Sequence, residues 1–174
     1  MTTLAEMIST PLDPVELRRT FACFPSGVTA VCAQIEGSPV GMAASSFCSV
    51  SLDPPLVLFC ASNTSATWAR LRDVRRLGVS VLSEGHDALC RQLAGPASGR
   101  FAGVGWTATD DGAVFVEGAA AWLDCSLERE VPAGDHQIAL MLVHAVMRVP
   151  ESAPLVFHDS RFRQFVSPNA EDEQ

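Results

Sequence analysis

The sequence predicts a mainly β protein, an antiparallel sheet or barrel with a few short helices. Apolar runs of strand length recur at residues 28–35, 40–44, 56–60, 77–82, 114–117, 119–130 and 136–149, about seven in all. They do not alternate with helices as βαβ units, which argues against a doubly wound parallel sheet. Turn chemistry separates them: Glu36-Gly37-Ser38, Asp53-Pro54-Pro55 and Gly134-Asp135.

The elements follow in order. Asp13-Pro14-Val15-Glu16 is a helix start, with an N-cap acid, proline at the first helical position and an acid three residues after the cap. Leu17, Phe21 and Phe24 continue an apolar stripe, and Pro25-Ser26-Gly27 ends it. The run 28–35, the turn and the run 40–44 predict a hairpin. Residues 45–51 are small and hydroxyl-rich and read as a corner. Asp53-Pro54-Pro55 can be neither helix nor central strand. A fully apolar strand at 56–60 leads through a polar loop to a helix at 66–72, a strand at 77–82 and a helix at 83–94 stopped by Gly95-Pro96. Residues 99–112 are loop-rich. The longest strand signal runs from His136 to Val149. Ile138, Leu140, Leu142, His144 and Val146 fall on one face, and Ala139, Met141, Val143, Ala145 and Met147 on the other. Both faces are apolar, so the strand is expected to be covered on both sides, by the core and by a partner subunit. Two short segments, 155–157 and 161–166, close a single domain spanning 13–166. Residues 1–12 and 167–174 are expected to be flexible termini.

Composition narrows the class. Of 174 residues, 48% are apolar and 18% charged, which fits a folded chain with little charge to spread over a monomer's surface. The net charge of -8 disfavours a nucleic-acid partner, and the only basic cluster, Arg70, Arg72, Arg75 and Arg76, reads as the exposed end of a short helix. No apolar run approaches a membrane span, and no signal peptide is visible. The six cysteines form no C-x-x-C pair, so zinc spacing is absent, no metal is expected, and a reducing cytoplasm is the simplest location.

Several motifs invite a chemical reading. Gly103-Val104-Gly105-Trp106-Thr107-Ala108 matches G-x-G-x-x-A, but turn residues follow where the dinucleotide fingerprint needs a helix, so the match is accidental. Neither His86 nor His158 has a visible nucleophile partner. The stretch from Ala44 to Ser49 offers small residues that let backbone approach a flat ring, and hydroxyls that donate and accept; a serine-rich barrel corner explains it equally. Residues 62–67, Ser-Asn-Thr-Ser-Ala-Thr, stand between a buried strand and a helix start, where N–H groups and hydroxyls suit an anion; an ordinary N-cap at Thr64 or Ser65 is the alternative. Gly134-Asp135-His136 places a histidine at a strand mouth, and His144 lies mid-strand.

Taken in order, the segments 24–29, 41–57, 100–103, 134–136 and 154–158 resemble the short-chain flavin reductases, the reductase partners of two-component flavin-dependent monooxygenases. The resemblance covers roughly residues 17–165. It implies a homodimeric split β-barrel of Greek-key type that binds FMN or FAD and takes hydride from NADH, with NADPH as the alternative donor. It implies that Met42, Ala43, Ala44, Ser45 and Ser46 line the isoalloxazine, assisted by Ser49. Family members often carry threonine where this chain has Ala43, which removes one hydroxyl. Cys60, Ala61 and Ser62 would follow the ring and ribityl chain; Asn63, Ser65 and Thr67 would meet the phosphate; Arg100 and Phe101 would close over the flavin. His136 would meet the nicotinamide nucleotide, with Asp135 orienting it, and Arg161 and Phe162 would add a nucleotide contact. Two alternatives share this fold: a flavoprotein that keeps its flavin, and a non-catalytic flavin or haem binder with His86, His144 or His158 as axial ligand.

Overall fold

The computed structural model describes residues 13–164; the expectations for the two termini and for residues 165–166 lie outside the described residues. Helix α1 (Pro14–Phe21) starts as predicted, the Asp13 carboxylate accepting the Val15 N–H at 3.1 Å. It stops before Phe24, and none of its residues is buried, so the apolar stripe is uncovered on this chain. Strands β1 (Ser26–Gly27), β2 (Thr29–Ile35) and β3 (Ser38–Ala44) follow. Glu36 and Gly37 turn the β2–β3 hairpin with φ of 52° and 77°, the two left-handed positions of a type I′ turn. Next come β4 (Cys48–Leu52), β5 (Pro55–Ser62), α2 (Ala66–Leu71), β6 (Leu77–Val81), α3 (Asp87–Ala94), β7 (Trp106–Ala108), β8 (Val114–Val116), β9 (Ala121–Ala133), β10 (His136–Arg148), β11 (Val156–His158) and β12 (Arg161–Arg163).

Seven strands form one sheet in the order β3-β2-β6-β9-β10-β5-β4, antiparallel throughout. Strands β1, β11 and β12 form a second sheet, and β7 pairs with β8. The mainly antiparallel β prediction therefore holds, with four corrections. The serine-rich corner continues into a strand, β4, because its backbone has β5 to pair with. Part of the loop-rich stretch is β7, too short for periodicity to reveal. The helix expected from residue 83 begins at Asp87: Ser83 forms an isolated β-bridge with Pro154 and its hydroxyl donates to the Gly118 carbonyl at 2.6 Å, which holds it extended, and a turn at 84–86 precedes the helix. The two-faced alternation of β10 breaks at His144, where a bulge against β9 leaves one extra residue between Val143 and Ala145.

One face of the large sheet encloses a core built on Val31, Val57, Phe59, Trp68, Leu71, Leu77, Val79 and Met141. Phe59 and Trp68 meet edge to face at 4.9 Å, which fixes α2 against β5. The opposite face of β2 packs a second core with Leu82, Leu93, Val114, Val116 and Leu155. Residues 29–33 of β2 are thus buried on both faces, and Ala30-Val31-Cys32-Ala33 is an unbroken apolar run. All six cysteines are free thiols. Burial pushes the Cys32 thiol up to about 12, against a backbone hydrogen bond with Met42, and burial with the Asp124 charge does the same at Cys125, to about 12. Among the described residues no helix is long and apolar enough to cross a membrane.

Strand β8 crosses β6 at Gly78, where a Cβ would overlap the Val114 carbonyl. Backbone cannot swing aside as a side chain can. Gly78→Ala is expected to lower unfolding stability by about 3 kcal/mol, the upper end of overpacking costs, as read from urea denaturation.

Candidate functional site

Two chain segments and one hairpin meet at the end of β5. The first segment runs from β3 into β4. Thr29 donates to the Ala44 carbonyl at 3.0 Å, holding the strand end in place. Beyond it the Ser46 hydroxyl accepts the Cys60 N–H at 2.8 Å and donates to the Cys60 carbonyl at 3.2 Å. Cys60 lies past the last β4–β5 pair, so this hydroxyl takes the place of a strand partner and stitches β5 to the β3–β4 corner. Ser46, expected to offer its hydroxyl to a ring, instead uses it on backbone. Ser45 and Ser49 are exposed, Met42 and Ala43 are half-buried, and Ala44 faces the core.

The second segment is the β5–α2 connection. Ala61 is buried and Ser62 half-buried. Ser65 is the N-cap of α2, its Oγ accepting the Trp68 N–H at 3.1 Å while donating to the Met42 thioether at 3.9 Å. The N–H groups of Ala66 and Thr67 lie in the first turn and have no acceptor inside the helix. Arg100 braces this corner, donating from Nε to the Gly95 carbonyl at 2.9 Å and from Nη1 to the Gly41 carbonyl at 2.9 Å and Thr67 Oγ1 at 2.7 Å. Because Thr67 accepts from Arg100, its own hydroxyl proton is directed elsewhere. N–H groups, hydroxyls and a guanidinium form the donor set a phosphate group needs, and the small side chains at positions 43–45 admit a flat ring against backbone.

The hairpin joins β9 to β10 by a two-residue turn, Gly134-Asp135, with Gly134 at φ 65°. His136 pairs with Ser62 across the sheet, so the turn stands beside the β5–α2 connection. His136 Nδ1 lies 2.8 Å from Asp135 Oδ1. That hydrogen bond, then the imidazole charge, holds the Asp135 carboxyl below its usual range, with Arg18 of α1 a minor contributor.

Three residues expected at the site have partners elsewhere in the chain. Asn63 turns its N–H and its side-chain amide to the hairpin: the N–H donates to the Asp135 carbonyl and Nδ2 to the Gly134 carbonyl, each at 3.0 Å, and Oδ1 accepts from Gln137 Nε2 at 3.0 Å. Phe101 is half-buried against the second core, with its ring beside Gly41. Phe162 lies on β12, against Phe157 at 5.3 Å and under the Arg91 guanidinium at 4.9 Å. With Arg161 it borders a groove of about 550 Å³ beside α3, whose lining includes no residue of the His136 hairpin. Gln137 went unrecognised in the sequence, and Gly134 was read only as part of the turn, since they reach Asn63 across 74 and 71 residues. The accidental glycine match leads into β7, so no helix terminus follows it. Of the basic cluster, Arg72 pairs with Glu130, Arg75 with Asp111 at 2.9 Å and Arg76 with Asp124 at 3.6 Å.

A curved antiparallel sheet whose corner segments carry a ring-sized small-residue stretch and an anion-type donor set is the arrangement of a flavin-handling split barrel. The chain belongs to the flavin reductase-like domain family, whose profile matches residues 21–165. It is 40% identical to an NADH-dependent FAD reductase of Streptomyces globisporus over 97% of this chain and 93% of that protein. It is 36% identical to the reductase subunit of a flavin-dependent monooxygenase of Rhodococcus jostii, over 87% of this chain and 77% of that one. Among solved structures, the Streptomyces globisporus NADH:FAD oxidoreductase in complex with NAD and FAD fragments superposes with a TM-score of 0.87 at 38% identity, covering 95% of this chain and 99% of that chain.

Arg100→Gln removes the brace on Gly41, Gly95 and Thr67. It is expected to raise the flavin KM by about tenfold, equivalent to about 1.4 kcal/mol and in the range of one charge-assisted hydrogen bond. The NADH KM is expected to change far less, as steady-state kinetics with each substrate varied in turn will show.

Proposed function

We propose that this chain is an NADH-dependent flavin reductase that reduces FAD or FMN and releases the reduced flavin to a partner monooxygenase. The observation that carries the reading is the convergence of a flavin-type segment and the Gly134-Asp135-His136 hairpin at the end of β5. Residues 42–46 and 60–62 hold the ring and ribityl chain, with Ser46 setting the position of Cys60. Ser65, Thr67, the first-turn N–H groups of α2 and Arg100 hold the phosphate. His136, oriented by Asp135, positions the nicotinamide nucleotide. The flavin supplies hydride acceptance at N5, so the protein needs neither a nucleophile nor a strong acid. Its residues hold the donor carbon near the acceptor and exclude water.

The partners follow from chemistry and surface. A monooxygenase partner is supported by the Rhodococcus jostii relative, itself a monooxygenase reductase subunit. A second copy of this chain would cover the outer face of β5 and β10, where Leu56, Leu58, Ile138, Leu140 and Leu142 lie half-buried, and the neighbouring Leu52, 95% exposed. Phe24 and Val146, 78% and 72% exposed, add to the uncovered apolar area. Six free thiols suit a reducing cytoplasm.

The defining test is NADH oxidation with FAD, FMN and riboflavin side by side. Consumption of NADH with at least one flavin, by protein that loses its yellow colour on desalting, is expected; no consumption with any flavin refutes the reading, and colour retained without turnover favours a flavoprotein of other activity. His136→Ala is expected to raise the NADH KM about tenfold while leaving flavin affinity within about twofold, the scale of a lost hydrogen bond to a charged ligand. An equal loss for both substrates rejects the assignment.

A further inference from the structure

Asn63 sits one residue past the end of β5, between two regions with different proposed tasks. Behind it runs the β5–α2 connection to Ser65 and Thr67; across from it stands the hairpin that carries His136. The β5–β10 ladder ends at the Ser62–His136 pair. Asn63 extends the connection past that point with three further bonds, to Gly134, Asp135 and Gln137. These three partners bracket His136 on both sides in sequence. The Gly134-Asp135 turn is exposed, and the Asn63 bonds tie it to the β5–α2 connection.

We infer that Asn63 is a positioning residue that transmits flavin occupancy to the nicotinamide site. A phosphate held at Ser65 and Thr67 immobilises the connection; Asn63 carries that order to the hairpin, and His136 is then preset for the second nucleotide. Ordering that the first ligand has already imposed need not be imposed again by the second, which is positive coupling. By reciprocity the nicotinamide nucleotide tightens flavin binding by the same factor. The inference rests on the reading that His136 meets the nicotinamide nucleotide. An asparagine suits this task because one side chain donates and accepts at once, to backbone on one side of His136 and to Gln137 on the other.

The test measures FAD affinity by fluorescence titration with and without saturating NAD⁺, a pair between which no net reduction occurs. In the unaltered protein NAD⁺ is expected to tighten FAD binding at least about fivefold, the lower end of typical coupling. In Asn63→Ala that factor is expected to fall to about twofold or less, with FAD affinity in the absence of NAD⁺ within about twofold of normal and the NADH KM raised about fivefold or more. Gln137→Met, which changes no residue of the β5–α2 connection and removes one of its three bonds to the hairpin, is expected to shift the coupling in the same direction by less, and serves if Asn63→Ala does not fold. In a His136→Ala background, Asn63→Ala is expected to leave the NADH KM where His136→Ala put it, because the two act in series. FAD affinity lost as strongly as NADH affinity would show Asn63 binding phosphate directly and overturn the inference. So would multiplied effects in the double variant, or absence of coupling in the unaltered protein. A His136→Ala protein with normal NADH KM would reject the nicotinamide reading and the inference with it; a normal Asn63→Ala beside an impaired His136→Ala would reject the inference alone.

Discussion

The antiparallel ladder between β10 and β5 governs the geometry of this protein. It runs from the Leu142–Leu56 pair to the His136–Ser62 pair without a slip. Side chains alternate with period two, so a shift of one residue would turn Phe59, Ala61, Ala139 and Met141 out of the core and bring Leu58 and Leu140 into it. The same register stands the Gly134-Asp135 turn beside the β5–α2 connection. Core packing and site assembly are therefore one constraint. The other side of β10 is less regular. Its ladder with β9 shifts register twice, between Leu140 and Met141 and between Val143 and Ala145. Both irregularities fall on the β9 side of β10 and leave the β5 side unbroken.

Electrostatics explain how an acidic chain can receive two anions. The net charge is -8, and long-range attraction does not assist a nucleotide. Three of the four clustered arginines are engaged by Glu130, Asp111 and Asp124, so they do not form a free basic patch. Glu130 also accepts the Trp68 indole N–H at 2.8 Å, which ties the arginine side of α2 to the core. Arg100 is the cation at the site, and it is held by carbonyls and a hydroxyl rather than by a carboxylate. A guanidinium so placed keeps its charge available to a ligand. Binding that relies on local donors against an unfavourable global field suits a ligand that must leave after each turnover.

The parts of the fold legible in the sequence were those with strong local chemistry. Asp13-Pro14-Val15-Glu16 marked α1, Glu36-Gly37 marked the first hairpin, and apolar runs marked β2 and, with both faces apolar, β10. Three-residue strands such as β7 carry no readable period, and β4 was hidden because its serines look like a corner until β5 pairs with it. The site divided the same way. Short-range features, the 62–67 connection and the Gly134-Asp135-His136 turn, were visible as candidates. Their connection was not, because Asn63 reaches Gly134 and Gln137 across more than seventy residues and no spacing rule links them. Ser46 was recognised as a site residue, but its bond to Cys60 is a property of sheet closure and leaves no trace in local pattern. The packing of Phe101 was illegible for a related reason: nothing in the local sequence ties its ring to Gly41, sixty residues earlier.

The buried thiols carry a consequence for a protein that releases its product into aerated water. Free reduced flavin reacts with oxygen and yields hydrogen peroxide close to its source. Peroxide attacks thiolates far faster than thiols. Cys32 and Cys125, held at about 12, remain protonated and enclosed. Oxidative wear on this chain is therefore steered toward its rim, at the exposed Cys23 and Cys48, and away from the two sulfurs on which the sheet packs.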